Sequence, residues 1–211
     1  MTGVNRLAVL RHAKATHEPG YSDINRPLTR RGQRDAAAVG RFLRTQGIVL
    51  DLVLCSSSSR TSETWDYLAA AAQAASAQAA SAQVAGAGAA GAQATSARAA
   101  TAGTTGPGTT GPGTTGIVAA VGEVCYEDRI YDAGIEDLFE IIRATPATVG
   151  QLMIIGHNPA VHGLVVALTG DRDIDFPTCA LAVIDLAGGW AQTSAQSGRL
   201  ARFWTPQGNT R

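Results

Sequence analysis

Short apolar runs alternate along this chain with segments whose apolar positions recur every three or four residues. "RLAVL" (Arg6 to Leu10) reads as a buried strand, and "DLVLC" (Asp51 to Cys55) reads as a second. Between them, "LTRRGQRDAAAVGRFLRTQG" carries an apolar stripe through Ala36, Val39, Phe42 and Leu43. Thr29 is placed to cap that helix and Gly47 to end it. "RTSETWDYLAAAA" starts another helix. Further on come a strand over Val121 to Cys125, a helix over Ile135 to Arg143, the strand "QLMIIG" (Gln151 to Gly156) and the helix Ala160 to Leu168. Strands over Leu181 to Leu186 and Leu200 to Trp204 close the pattern. Strands alternating with helices predict an α/β fold, a three-layer sandwich with a mainly parallel central sheet and helices on both faces.

One segment interrupts this pattern. Residues 69–116 are Ala, Gly, Ser, Thr and Gln, with Arg98 the only charge and Val84 the only branched aliphatic among them until the Pro-Gly repeats "TTGPGTTGPGTTG". The alanine-rich half can prolong the preceding helix. The Gly-Pro half reads as a linker, so the expectation is a low-complexity insertion, disordered or partly helical, within a single domain over 1–211. The remaining core of about 160 residues is within the usual size of one domain.

Charge and cysteine content narrow the classes further. The 211 residues carry a formal net charge of zero, which offers no basic surplus for a nucleic acid. Lys14 is the only lysine, and every other cation is arginine. Cys55, Cys125 and Cys179 are odd in number and far apart, matching neither a disulfide framework nor a zinc spacing. "LAVL" between Arg6 and Arg11 is too short for a signal-peptide core, and no apolar run is long enough to span a bilayer. The expectation is a cytoplasmic protein without membrane or nucleic-acid partners; the oligomeric state has no signature in the sequence.

Three predicted strands end in chemically loaded peptides: Arg11-His12, Ser56 to Arg60, and Gly156-His157-Asn158-Pro159. In open α/β sheets ligands collect beyond the carboxyl ends of the strands. Two histidines and two arginines facing one crevice repel one another unless an anion lies between them. A phosphoryl group fits, because arginine forks match its oxygens two at a time, the start of the helix at Ser59-Arg60 adds N–H groups, and a neutral imidazole can attack phosphorus. Neighbouring arginines disfavour protonation of His12 and keep its nucleophilic nitrogen available. Each element has an ordinary alternative: a chance Arg-His pair, a solvated serine loop, a His157 that caps the next helix. His17 and His162 read as surface or structural residues. The functional case rests on the conjunction.

Taken together, "LAVLRHAKA", "SDINRPLTRRGQRDA", "DLVLCSSSSRTSET", "IIGHNPAVHGLV" and "FPTCALAVIDL" resemble the histidine phosphatase superfamily, and specifically its SixA-type phosphohistidine phosphatase branch. The resemblance covers the chain except for 69–116. It implies catalysis without metal or cofactor, in which His12 takes the phosphoryl group and water releases it, with Arg11, Arg60 and His157 holding the transferring group. "RHAKA" in place of an Arg-His-Gly start is what points to the SixA-type branch. Lys14 adds positive charge at the rim. Ser56-Ser57 stands where the family commonly has Ser-Pro, which removes a rigidifying proline from the loop that presents Arg60.

The proton donor is the open point. Many members of the superfamily use an acid after the third strand, where "DRIYDAGIEDL" offers Asp132, with Asp128 and Glu136 as weaker candidates. The SixA-type branch often lacks a dedicated acid. Three readings follow: a phosphatase for phosphohistidine on a protein partner; a small-molecule phosphomonoesterase for a sugar or glycerol phosphate, with Arg26 as a specificity group and Asp132 as the acid; and a non-catalytic phospho-binding protein. A mutase is disfavoured, because the core lacks elements to enclose and reorient an intermediate.

Overall fold

The computed structural model describes residues 4–88 and 121–208. Its elements in chain order are β1 (Arg6–Arg11), α1 (Arg30–Thr45), β2 (Leu50–Cys55), α2 (Ser59–Gly88), β3 (Val121–Tyr126), α3 (Ile135–Arg143), β4 (Gln151–Gly156), α4 (Ala160–Thr169), β5 (Leu181–Leu186) and β6 (Gly198–Trp204). They form a three-layer α/β sandwich around one sheet of order β3-β2-β4-β1-β5-β6. The four strands from β3 to β1 run parallel; β5 pairs antiparallel with β1 and β6 antiparallel with β5, so β5 alone runs against the others.

The central strands are buried on both faces, so their sequences are continuous apolar runs. Leu7 and Val9 of β1, with Leu152 and Ile154 of β4, pack under Leu138, Ile142, Val161 and Leu164 of α3 and α4. Their alternate neighbours Ala8, Leu10, Met153 and Ile155 pack on the other face under Val39, Leu43, Trp65 and Leu68 of α1 and α2.

Helix α1 starts and ends where its sequence says it should. The Thr29 side chain accepts from the Gly32 amide at 3.1 Å, and Gly47 follows the last turn with φ of 63°. Gly40 lets α1 and α2 touch, since a Cβ there would overlap the Leu68 carbonyl oxygen. Cys55, Cys125 and Cys179 are all free thiols.

The low-complexity tract does not begin as a separate piece. Helix α2 runs without a break to Gly88, and Ala72, 5% exposed, packs into its contact with α1. Fourteen helical residues from Ser59 to Ala72 rise about 20 Å, roughly the length of a six-residue strand, so α2 has already returned to the start of the sheet by Ala72. The first residues of the 69–116 segment thus continue α2, as an alanine-rich stretch prolonging that helix. The Gly-Pro repeats and the rest of 89–116 lie outside the described residues. Replacing 77–116 with a short Gly-Ser connector is expected to leave the thermal midpoint and activity nearly unchanged, since loop closure costs only about 0.6 kcal/mol per doubling of length. Extending the cut back through Ala69 should destabilise the protein clearly. Equal thermal midpoints for the two deletions would show that the Ala69–Ala72 turn contributes nothing to the core.

Candidate active site

In the sheet β4 lies between β2 and β1, so the carboxyl ends of these three parallel strands are adjacent. That order brings together peptides far apart in sequence. The His12 amide donates to the Gly156 carbonyl at 3.0 Å, and the Ser56 amide donates to the Ile155 carbonyl at 3.0 Å. His12, Ser56 and His157 thus leave the sheet side by side.

The imidazoles of His12 and His157 lie 5.1 Å apart, tilted by 50°. His12 Nδ1 is 2.8 Å from the Ala13 carbonyl oxygen. A carbonyl can only accept, so Nδ1 carries the proton and Nε2 keeps its lone pair. Arg60 Nε donates to His157 Nδ1 at 3.3 Å, and His157 Nε2 then donates to Ser56 Oγ at 2.8 Å. Both rings are held neutral. His12 is pushed down to about 4, chiefly by burial and further by Arg60, Arg11 and Arg26, against the opposing Ala13 hydrogen bond. His157 is pushed down to about 3 by burial, then by His12, Arg60 and Arg11, with Asp23 partly offsetting them.

Arg60 is 5% exposed in the first turn of α2. Its Nη1 donates to the Asp23 carbonyl at 2.6 Å, and its Nη2 donates to the Asp23 carboxylate at 3.0 Å. The same carboxylate accepts from Arg26 Nη2 at 2.6 Å and from the Tyr131 hydroxyl at 2.6 Å. The Tyr131 bond, followed by Arg60 and Arg26, lowers Asp23 to about 2, so it stays ionised. Tyr131 also sets its ring edge-on to His157 and under the Arg60 guanidinium. Arg11 donates Nη1 to the Phe176 carbonyl at 3.0 Å, while its buried Nε has no hydrogen-bond partner among the described residues.

Buried hydroxyls do the work expected of the missing proline. Ser56 and Ser58 are fully buried, contrary to a solvated serine loop. The Thr61 hydroxyl bridges to the Ser56 carbonyl at 2.7 Å. Thr64 Oγ1 bonds the Arg60 carbonyl at 2.6 Å and accepts from the Ala13 amide at 3.0 Å, tying the His12 loop to the helix that carries Arg60.

A cleft of about 450 Å³ opens over these residues. Arg11, His12, Arg60 and His157 line it together, and Lys14 and Arg26 stand at its edge, as does His17. The acid candidates are elsewhere: Asp132, Asp128 and Glu136 are exposed and do not line the cleft. His162 is turned away, stacked on Phe176 and bonded to the Ile174 carbonyl. A larger cleft of about 560 Å³ by Trp190, at the opposite end of the sheet, has no titratable lining residue among the described residues. Sequence reading missed Asp23, Ser56 and Tyr131. Of these, only the Asp23-Arg26 spacing was a visible signal, and it did not reveal Arg60 as a partner.

Comparison with known proteins agrees with this fold. Residues 7–81 match the model of the histidine phosphatase superfamily (branch 1). An uncharacterised protein of Mycobacterium tuberculosis (strain H37Rv) is 26% identical over 94% of this chain and 100% of its own length. A structure assigned as phosphohistidine phosphatase SixA from Nakamurella multipartitia aligns with TM-score 0.66 at 22% identity, covering 97% of each chain. The protein histidine phosphatase SixA complexed with tungstate aligns with TM-score 0.63 at 18% identity, over 96% of this chain and 97% of that one. The motif resemblance and the family match over residues 7–81 point the same way, and the chain has the fold of the SixA structures.

The neutral imidazoles make stability depend on pH. The unfolded chain takes a proton on each ring near 6.5, whereas the native protein does so only near 4 for His12 and near 3 for His157. Between those values the unfolded state binds more protons, so stability falls as pH drops from about 6.5 toward 4. Denaturant midpoints at pH 7 and pH 5 should show a smaller drop for His12→Asn than for the unchanged protein. Equal drops would mean that His12 is not held neutral by its surroundings.

Proposed function

We propose that this protein is a metal-independent phosphatase that works through a phosphoryl group carried on His12, with phosphohistidine on a protein partner as its substrate. The observation that carries the reading is the His12 ring: neutral, donating through Nδ1 to Ala13, with Nε2 unprotonated in a cleft that Arg11 and Arg60 also line. The Nε2 lone pair forms the bond to phosphorus as the bond to the substrate's nitrogen breaks, and that nitrogen keeps the electron pair and takes a proton from solvent. Water then attacks phosphorus, the His12–phosphorus bond breaks, and inorganic phosphate leaves. The buried, unpartnered Arg11 Nε and the remaining N–H groups of Arg60 are donors suited to the equatorial oxygens.

The absence of an acid favours a phosphoramidate over an alkyl ester. No carboxylate lines the cleft among the described residues, and no Asp or Glu occurs in 1–3, 74–120 or 209–211. Asp23, beside Arg60, is held ionised and donates no proton near neutral pH. An alkoxide leaving group without a positioned acid forgoes roughly 100-fold to 10,000-fold in rate, while an imidazole leaves without one.

The test is a turnover comparison of a phosphohistidine-bearing protein with sugar and glycerol phosphates. The phosphohistidine substrate should be hydrolysed with kcat/KM at least about 100-fold higher, and Asp132→Asn should change neither rate by more than a few-fold. A sugar phosphate turned over as fast, with a large loss in Asp132→Asn, would instead support the small-molecule phosphomonoesterase with Asp132 as its acid.

A further inference from the structure

The outer edge of the cleft is more cationic than one phosphoryl group requires. Arg11, Lys14, Arg26, Arg31 and Arg60 all line it, in a chain whose formal net charge is zero. A phosphoryl group brings about two negative charges, which Arg11 and Arg60 face from inside, and Arg26 is already bound to the Asp23 carboxylate. Lys14 and Arg31 remain. The lining side chains Asn158, Thr178 and Gln207 carry no charge.

These two cations stand on a braced lip. Ala15 pairs with Leu28 in an isolated antiparallel bridge, and the Thr16 amide donates to the Pro27 carbonyl at 2.9 Å. The Lys14 carbonyl accepts from the Thr29 amide at 2.8 Å and from the Thr29 hydroxyl at 3.0 Å. Gly32 sits directly on that carbonyl, where any Cβ would overlap it. The backbone under Lys14 is therefore fixed against the start of α1. Its side chain is exposed and has no hydrogen bond or ion pair among the described residues. Arg31 meets Asp35 only through Nε at 3.5 Å and is 53% exposed, so its terminal nitrogens are available.

The position of Arg31 is also unfavourable for the helix. The first turn of α1 carries no acidic residue, while Arg30 and Arg31 occupy it, at the end where the helix dipole is positive. An anion held at this lip relieves that repulsion. We infer that Lys14 and Arg31 form a second anion subsite that binds an acidic side chain next to the phosphohistidine of the protein substrate. This rests on the phosphohistidine reading above. The exposed cationic lip fits an acidic side chain passing over the rim.

Two phosphohistidine peptides that differ only by Glu or Gln beside the phosphohistidine test the subsite. At low salt the Glu peptide should have the higher kcat/KM, by about tenfold. The preference should shrink toward unity at 1 M salt, where the screening length is about 3 Å. A Lys14→Gln/Arg31→Gln double variant should bring the Glu-to-Gln ratio close to one at any salt. Equal use of the two peptides by the unaltered protein, or a preference that survives in the double variant, overturns the inference. If neither peptide is turned over, the phosphohistidine reading itself fails. A carboxylated and an uncarboxylated aryl phosphate then serve as probes: a carboxylate preference lost in the double variant reassigns the lip to a small dianionic substrate, and no preference removes the subsite altogether.

Discussion

A guanidinium buried against a neutral imidazole is the contact on which this site depends. Arg60 is almost wholly out of water, and a lone buried cation would be costly. It is tolerated because Asp23 supplies both a carboxylate and a backbone carbonyl to its terminal nitrogens, while Nε is spent on His157. That last bond decides the His157 tautomer and sends its other proton to Ser56. Breaking a buried pair of this kind by removing one partner leaves the other uncompensated, typically at a cost of about 3–5 kcal/mol, discounted here because the Asp23 side chain is 57% exposed. The segment around Asp23, Tyr131 on its own loop, and the start of α2 are thus held to one another by Arg60 and by the Tyr131–Asp23 hydrogen bond.

The sheet sets the remaining geometry. Because β4 lies between β2 and β1, the peptides after three parallel strands emerge together, and the distance between His12 and His157 follows from strand spacing. The buried Thr61 and Thr64 hydroxyls then fix the loop conformations by hydrogen bonds to backbone, while the Ser56 hydroxyl holds His157 and the Ser58 hydroxyl holds that of Thr61. The two threonine hydroxyls satisfy backbone groups that would otherwise be stranded, which steadies the loop without a proline.

Much of this was legible in the sequence, for a physical reason. Strands buried on both faces must be continuous apolar runs, so β1 and β4 announced themselves, and Arg11-His12 and Gly156-His157 stood out as polar groups at the ends of such runs. Thr29 and Gly47 marked α1 because caps are local chemistry. Long-range pairing left no such mark. Asp23 and Arg60 are 37 residues apart, and nothing in either segment names the other. The reversed direction of β5 was also hidden, since a buried strand has the same composition in either direction. Asp132 drew notice as an acid in the right segment, but its neighbour Tyr131 is the residue turned to the site.

The central claim is that His12 Nε2 becomes the phosphorylated atom. Rapid quenching during turnover of a radiolabelled phosphoryl substrate, followed by peptide mapping, tests it directly. The account predicts a transient protein-bound label that is stable to base, labile to acid, located on the peptide containing His12, and absent from His12→Ala. A label that resists acid, or that maps to another residue while His12→Ala still turns over substrate, would contradict it.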